Sequence, residues 1–371
     1  MPSVDLAAPI PVSLQGNRSY AIRFEVLQSV PRLMVEAGLR PGRCLVITDN
    51  HVATLYQAPV IDALRGAGWS PNVIVMPPGE STKAPASLQS IYDTALRWGI
   101  DRKTPVLALG GGVVGDVAGF AAATLLRGLP FVQLPTTLIA QVDSAIGGKT
   151  GINHAVGKNL IGAFHQPRLV CADLNTLRTL PALEWTSGLA EVVKHAFIAD
   201  ADLLTFLETR WADVMACEPA VTAEMVYRAA RIKADVVSED EREQGRRAIL
   251  NFGHTFAHAI ERVAGYGQFT HGEAVALGMR AALLISHRLH PNLPLDRALR
   301  LTQRIPVRNR LADLSLEKLM KAMHADKKVH AGTIRLVVLR RLGEAYLTDQ
   351  ATEKNIEEAW AFARQSERTP L

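Results

Sequence analysis

The chain has 371 residues, of which 48% are hydrophobic and 21% are charged, and its formal net charge at pH 7 is +5. This composition is typical of a soluble globular protein, and the length favours two domains. Because the mild positive charge is spread along the chain, we expect no nucleic-acid partner, although a local basic cluster could hold an anionic substrate.

The sequence carries no targeting or membrane signal. No apolar run reaches the roughly 18 residues that a membrane span needs. The N-terminal segment lacks the basic and apolar regions of a signal peptide, so we expect a cytoplasmic protein with no membrane partner. Cys44, Cys171 and Cys217 stand apart in apolar runs, which predicts reduced core residues and argues against a disulfide framework.

The first half of the chain alternates predicted strands and helices. Strands are predicted at residues 20–27, 44–48, 72–76, 105–109 and 131–134, and the intervening helices at about 31–37, up to 65, 86–98 and 113–126. This order predicts an open, mostly parallel, Rossmann-like sheet with helices on both faces. In such sheets ligands bind at the carboxyl ends of the strands, where Asp49, Glu80, a glycine run and Thr136-Thr137 fall.

From about residue 180 the pattern changes to long amphipathic stretches. They lie at residues 188–198, 202–211, 220–237, 249–263, 273–289, 295–305, 316–322 and 352–364. The only strand-like run in this half is TIRLVVL at residues 333–339. We therefore predict an all-α second domain and divide the chain into domains 1–178 and 179–371.

The glycine run GGGVVGD, residues 110–116, follows a predicted strand and opens a predicted helix. Glycines let the backbone approach a pyrophosphate, and the N–H groups at a helix start favour an anion. The spacing is not the strict G-x-G-x-x-G of dinucleotide sites, and a tight strand-to-helix turn would explain the same residues. Asp49 likewise could bind ribose hydroxyls or cap a helix.

A second informative segment is DSAIGGKTGINHAVGKN, residues 143–159, which we interpret as a loop. Lys149 and Lys158 each follow a glycine, an arrangement that brings an amine and backbone N–H groups onto one anion. The segment favours contact with a phosphate or a nucleotide over a merely solvated loop.

Residues 247–273 are unusually rich in histidine. His254 and His258 are four residues apart in a predicted helix and share one face, and His271 precedes the next helix. Three imidazoles at a turn between helices indicate a divalent metal site, most simply Zn²⁺. Spacing alone selects His254 and His258 as the ligand pair, although two surface histidines would give the same pattern.

A carboxylate for this site is available in the apolar helix SGLAEVVKHAFI. Glu191 and Lys194 are three residues apart and could be a surface ion pair. Because the rest of the helix is apolar, we expect its face to be buried and Glu191 to join the histidines.

Six motifs carry a resemblance to a known family. In chain order they are GGGVVGDVAGF, LPTTLIAQVDSAIGGKTGIN, GKNLIGAF, SGLAEVVKH, NFGHTFAHAIE and HGEAVALGM. From about residue 49 to residue 339 the chain resembles the 3-dehydroquinate synthase family. The resemblance implies an α/β domain that binds NAD, a helical domain that holds one divalent metal (Zn²⁺ or Co²⁺), and an active site in the cleft between them.

The resemblance also implies residue roles. The metal ligands would be Glu191, His254 and His271, which moves His258 to the substrate. NAD would contact Asp49, Glu80, Lys83, Gly111, Gly112, Asp116, Thr136, Thr137, Asp143 and Lys158. The substrate would contact Lys149, Asn159, Lys194, Lys233, Arg247, Asn251, His258 and the segment 326–328, in which either Lys327 or Lys328 reaches it. Arg127 would cross to the substrate phosphate of the partner copy in a homodimer.

The implied reaction converts 3-deoxy-D-arabino-heptulosonate 7-phosphate to 3-dehydroquinate in the shikimate pathway. NAD would oxidise the C5 hydroxyl, phosphate would leave by β-elimination, the hydride would return, and an intramolecular aldol addition would close the ring. Three alternatives remain: a sister sugar-phosphate cyclase that makes a valiolone or an inosose, a metal-dependent polyol dehydrogenase, and a non-catalytic nucleotide-binding protein.

Overall fold

The computed structural model describes residues 5–265, 267–327 and 334–366, with backbone alone for residues 325–327. Its strands are β1 (Ile10–Val12), β2 (Tyr20–Arg23), β3 (Arg43–Asp49), β4 (Ser70–Met76), β5 (Val106–Gly110), β6 (Phe131–Pro135), β7 (Lys149–His154), β8 (Gly157–Phe164), β9 (Leu169–Cys171), β10 (Leu336–Arg341) and β11 (Glu344–Thr348). Its α-helices are α1 (Val30–Glu36), α2 (Asn50–Val52), α3 (Ala58–Gly66), α4 (Pro85–Trp98), α5 (Gly112–Thr124), α6 (Ala182–Ala199), α7 (Ala201–Thr209), α8 (Trp211–Met215), α9 (Pro219–Glu239), α10 (His254–Ala264), α11 (His271–Leu289), α12 (Leu295–Gln303), α13 (Leu316–Lys327) and α14 (Glu353–Gln365).

By its internal contacts the chain divides into two compact units. One holds Met1–Leu180 with Thr222–Arg242, and the other holds Pro181–Val221 with Glu243–Leu371. The domain limits 1–178 and 179–371 stay a prediction; the units differ from them by grouping most of α9 with the first unit. The apolar side chains Ala230, Ala234 and Val237 of α9 join the core cluster formed by β1, β2 and β9, which explains that grouping.

The first unit contains one seven-stranded sheet in the order β1-β2-β9-β6-β5-β3-β4. All neighbouring strands are parallel except β1 and β2. Alternate residues of the central strands serve two cores: Leu45 and Ile47 belong to one cluster, and Val46 and Leu107 belong to another. Continuous apolar runs such as CLVIT are what a parallel strand covered on both faces requires. The predicted α/β fold is confirmed.

The interpretation of residues 143–159 as a loop is wrong in its second half. Residues from Lys149 onward form an antiparallel hairpin of β7 and β8. The strands approach closely because two glycines face each other: a Cβ on Gly162 would lie 2.1 Å from the Thr150 carbonyl oxygen, and one on Gly151 would lie 2.6 Å from the Ile161 oxygen. Since glycine is depleted in strands, these same residues suggested a loop.

The second unit is mainly helical but also contains the β10–β11 hairpin, so the prediction of an all-α domain is wrong in this respect. The run at residues 333–339 therefore contributes to a strand, while its partner β11 was not predicted.

Thr270 and Glu273 form a capping box that starts α11: Thr270 Oγ1 accepts from the Glu273 N–H at 3.2 Å, and Glu273 Oε2 accepts from the Thr270 N–H at 2.6 Å.

Glycines allow α6, α10 and α11 to pack closely. A Cβ on Gly278 would lie 2.2 Å from the carbonyl oxygen of Gly253, and a Cβ on Gly272 would lie 2.3 Å from that of Ser187. Gly253 itself has a φ of 78°, in the left-handed region that favours glycine. Backbone atoms therefore fix the distances between the helix starts that carry the histidines.

The last two features of the fold are the hydrophobic character of the helices and the burial of the cysteines. Among the helices that the structure describes, none is both long and apolar enough to cross a membrane. Cys44 and Cys171 are buried, and burial raises the pKa of both thiols to about 12, as expected of reduced core residues.

We predict that Gly278→Ala destabilises the helical unit by about 1–3 kcal/mol or more, because the added methyl group overlaps a backbone oxygen that cannot move alone. The check is the thermal unfolding midpoint followed by circular dichroism. Gly66→Ala is the matched control, since a Cβ there would meet no atom within 4 Å. An unchanged midpoint in Gly278→Ala would contradict the packing described.

Candidate active site

The helical unit brings together one carboxylate and two imidazoles. Glu191 is fully buried on α6, while His254 and His271 are the first residues of α10 and α11. Glu191 Oε1 lies 3.5 Å from His254 Nε2 and 3.3 Å from His271 Nε2. One donor atom from each residue falls within 4.8 Å of the others, and this nitrogen and oxygen donor set suits a divalent metal such as Zn²⁺.

Groups of both charges meet at this cluster. Burial alone would raise the pKa of Glu191, but Lys194 and then His254 and His271 hold it well below its usual range. Burial lowers the pKa of His254 to about 3, with Lys194 adding to the effect, so that imidazole is neutral at pH 7. For His271, burial is outweighed by hydrogen bonds to Glu191 and Glu261, and its pKa rises to about 10. The carboxylates of Glu191 and Glu261 are thus balanced by Lys194 and a protonated His271, and a divalent metal would take the place of the His271 proton.

His258 lies beside the cluster without entering the donor group. Its ring centroid is 5.7 Å from that of His254, and the two rings are nearly perpendicular. The spacing of four residues places both rings on one helix face, but the second imidazole of the donor group comes from the start of α11. The structure therefore groups His271, and not His258, with His254 and Glu191.

Glu261 is a residue that the sequence reasoning missed. Its Oε1 lies 3.6 Å from His271 Nδ1, on the side of the ring opposite Glu191. His254 Nδ1 similarly lies 3.2 Å from the Phe252 carbonyl oxygen. In both rings an acceptor at Nδ1 leaves Nε2 directed to Glu191, which is how outer partners orient metal ligands. The position of Glu261, seven residues after His254 in the same helix, was the available signal.

Three further predicted substrate residues lie in the helical unit. Lys194 is buried one turn from Glu191 and pairs with its Oε2. Arg247 is buried in the 3₁₀ turn Arg246–Asn251. At the end of that turn Asn251 Nδ2 donates to Glu243 Oε1 at 2.6 Å, and Glu243 was not predicted.

In the first unit, a buried lysine gathers several predicted NAD and substrate residues. Lys83 Nζ donates to Asp116 Oδ2 at 2.6 Å and also to Asn159 Oδ1. Burial raises the pKa of Asp116, which the Lys83 ammonium counteracts. Asn153 joins the group by donating from Nδ2 to Glu80 Oε1 at 2.8 Å. Asn153 is not one of the predicted site residues.

Five further predicted NAD residues lie at strand ends, as expected. Asp49 ends β3 and its Oδ1 accepts from the N–H groups of His51 and Val52, so it does cap α2. Gly111 and Gly112 follow β5, and a Cβ on Gly111 would lie 2.9 Å from Thr137 Cγ2. The buried Thr136 follows β6, next to Thr137. The carboxyl ends of parallel strands share one edge of the sheet, so these groups lie along it.

The last seven predicted residues include a pair that is in contact. Asp143 Oδ1 accepts from Lys233 Nζ at 2.5 Å. Lys149, the first residue of β7, and Arg127 are exposed, while Lys158 in β8 is half-buried. Arg127 has a φ of 65°. Lys327 ends α13, but its side chain lies outside the described part of the chain, and so does Lys328.

Known proteins are similar to this chain over most of its length. Family models described as 3-dehydroquinate synthase N-terminal and C-terminal match residues 73–187 and 188–329. A 3-dehydroquinate synthase from Salinibacter ruber is 57% identical over 359 residues, which cover 96% of this chain and 98% of the relative. The chain belongs to the 3-dehydroquinate synthase family.

Two solved structures are also similar over nearly the whole chain. A 2-epi-5-epi-valiolone synthase from Streptomyces hygroscopicus with NAD⁺ and Zn²⁺ bound is 30% identical with a TM-score of 0.85, covering 95% of this chain and 99% of that one. A 2-deoxy-scyllo-inosose synthase complexed with carbaglucose-6-phosphate, NAD⁺ and Co²⁺ is 26% identical with a TM-score of 0.84, covering 96% of this chain and 100% of that one. Family and fold thus agree with the resemblance found in the sequence.

We predict that Glu261→Gln lowers Zn²⁺ affinity by about 10–100-fold, because the His271 ring loses its orienting carboxylate. His271→Ala should lower the affinity further, because it removes a donor, while leaving the fold intact. Competition with a chromophoric chelator measures both affinities.

Glu184→Gln is the control, since Glu184 is an exposed carboxylate at the start of α6. If Glu261→Gln binds Zn²⁺ as tightly as Glu184→Gln does, Glu261 plays no part in orienting the ligand.

Proposed function

We propose that this protein converts 3-deoxy-D-arabino-heptulosonate 7-phosphate to 3-dehydroquinate and phosphate, a step of the shikimate pathway. The observation that carries the proposal is the Glu191, His254 and His271 donor group in a chain that matches a 3-dehydroquinate synthase over 96% of its length. The α/β unit would bind NAD, and the cytoplasm is the expected location.

The cofactors fit residues already described. Glu191, His254 and His271 would hold one Zn²⁺ or Co²⁺, with Glu261 fixing the His271 ring. The strand-end residues and Lys83, Asp116, Asp143 and Lys158 would hold NAD. When bound, NAD supplies reversible hydride transfer, and the metal supplies Lewis-acid polarisation of the substrate oxygen that is oxidised.

The chain's own groups match the charges of the substrate. The substrate carries one carboxylate and one phosphate, and the proposed contacts are lysines, an arginine, asparagines and a histidine. Arg247 and Lys194 are almost entirely buried, so their charges act through little water and bind an anion more strongly than surface charges do. Lys194 is also held by Glu191, which keeps its ammonium fixed.

In the reaction these residues would chiefly position the substrate and stabilise the charge that develops on it. Apart from the hydride that NAD takes and returns, the reacting groups belong to one substrate, so holding its conformation provides much of the rate advantage. Removal of the proton next to the ketone creates enolate charge, which Lys194 and Asn251 would stabilise with preorganised donors until the departing phosphate takes the electron pair. His258, beside the metal ligands, would contact the substrate and exchange a proton with it at an imidazole nitrogen.

We also propose a homodimer with a shared site. Arg127 is exposed and lies in a turn with left-handed φ, which projects it from the surface of its own unit. In this proposal Arg127 binds the substrate phosphate of the partner copy as a fork of N–H donors.

A sister cyclase activity is the second candidate, because the two similar solved structures are a valiolone synthase and an inosose synthase. Substrates of that kind lack a C1 carboxylate. The present chain retains the cationic and amide set of Arg247, Asn251, His258 and Lys194, which favours a substrate that carries one. A polyol dehydrogenase would not need these groups and would accumulate NADH.

The decisive assay is phosphate release from 3-deoxy-D-arabino-heptulosonate 7-phosphate with catalytic NAD. We expect release to stop after chelation, to return with Zn²⁺ or Co²⁺, and to leave no net NADH. Release from sedoheptulose 7-phosphate or glucose 6-phosphate in its place would assign a sister cyclase, and accumulating NADH with a simple polyol would assign a dehydrogenase.

Arg127→Ala should raise the substrate KM about tenfold or more while NAD affinity stays near normal, since the lost contact is to phosphate. Steady-state kinetics and NAD titration measure the two effects. Arg102→Ala is the control, because it removes another exposed arginine of the same unit. A collapse of NAD binding would instead show that Arg127 is structural.

A further inference from the structure

The side chain of Asn153 lies between a proposed NAD residue and a proposed substrate residue. Its Nδ2 donates to Glu80 Oε1 at 2.8 Å, and its Oδ1 accepts from the Asn159 N–H at 2.9 Å. The two ends of one short amide thus serve two different groups. The donor and acceptor ends are not interchangeable, because a carboxylate accepts and an N–H donates.

The backbone of Asn153 fixes this amide in place. Its N–H donates to the Lys83 carbonyl oxygen at 2.8 Å, which ties β7 to the turn that carries Glu80 and Lys83. This bond involves only main-chain atoms, so it survives substitution of the side chain. The hairpin and the turn should therefore stay together in Asn153 variants.

Asn159 depends on its neighbours for its conformation. Its φ is 56°, in the left-handed region that asparagine tolerates at a cost. Asn153 holds its N–H, and Lys83 Nζ holds its Oδ1. With those two atoms engaged, Nδ2 is the group by which Asn159 would donate to a substrate oxygen.

Glu80 depends on Asn153 in a different way. Its side chain is 40% exposed, and Lys83 Nζ is 3.9 Å away, at the limit of an ion pair. The bond from Asn153 is the shorter contact and gives the carboxylate a defined orientation. A half-exposed carboxylate without that contact would sample several rotamers in water and lose affinity for a ribose or other hydroxyl partner.

We propose that Asn153 is a positioning residue that orients Glu80 for the nucleotide through its Nδ2 and orients Asn159 for the substrate through its Oδ1. The proposal rests on the function proposed above. Asn153 touches neither ligand in this scheme, and it acts only through the two residues it holds.

The two ends of the amide can be separated by substitution. Asn153→Asp keeps an acceptor for the Asn159 N–H but places a second carboxylate against Glu80, which removes the bond and adds repulsion. Asn153→Ala removes both bonds. His154→Ala is the control, because His154 is the next residue of β7, is exposed, and has no role in the proposed site.

NAD affinity measured by calorimetry and substrate KM measured at saturating NAD test the proposal on the full chain. Asn153→Asp should raise the NAD Kd about fivefold or more with the substrate KM within about twofold of wild type. Asn153→Ala should raise both, and His154→Ala neither. A fivefold change corresponds to about 1 kcal/mol, the net value of one hydrogen bond.

Three results would overturn the proposal. The first is an NAD Kd in Asn153→Asp within twofold of wild type. The second is a rise of both quantities in Asn153→Asp to the levels of Asn153→Ala, together with a lower melting temperature, which would mean a merely structural role. The third is a wild-type chain that binds no NAD. If the chain binds NAD but releases no phosphate from the substrate, the proposed function fails, and the NAD Kd of Asn153→Asp still decides the role of Asn153.

Discussion

The charge of one buried carboxylate constrains the helical unit more than any other interaction. Glu191 has no exposure to water, and an unpaired ion in that position would cost several kcal/mol. Lys194 on the same helix supplies one partner, but His254 and His271 come from two other helices. Helices α6, α10 and α11 must therefore meet at this point. Both α10 and α11 begin beside the carboxylate, so the positive end of each helix dipole lies next to its negative charge. The same constraint that stabilises the fold creates a place for a metal.

Close backbone contacts make that meeting possible. Gly278 lies against Gly253, and Gly272 lies against Ser187, at distances where no Cβ fits. The capping box of Thr270 and Glu273 then fixes where α11 begins, and so fixes His271 as its first residue. The positions of His254 and His271 therefore follow from these glycine contacts and from this helix cap. Gly272 and Glu273 of the segment HGE thus help to place His271.

In the α/β unit the organising element is the β7–β8 hairpin. Its glycines allow two strands to lie closer than side chains would permit, and its asparagines contact Glu80 and Lys83 in the turn after β4. Lys83 is buried by these contacts and is neutralised by Asp116. Asp116 and Asn159 hold the ammonium of Lys83 in one position, so the groups around it need little rearrangement when a ligand binds. The residues proposed for the nucleotide and those proposed for the substrate thus belong to one hydrogen-bonded network.

The sequence by itself determined the parallel sheet, the change to helices near residue 180, and the family. Apolar runs such as CLVIT and VLAL are stable only in strands that are covered on both faces. Six motifs in the order of the family identify the family. Tertiary structure decided which side chains meet. Spacing paired His254 with His258, yet α11 brings His271 to His254, because convergence of donor atoms depends on how helices pack and not on distance along the chain. Glu261 and Asn153 were missed for the same reason: each acts on a residue that lies near it only in the folded protein. The hairpin at residues 149–164 was interpreted in part as a loop, because glycine opposes a strand locally and permits one only when a second strand lies against it.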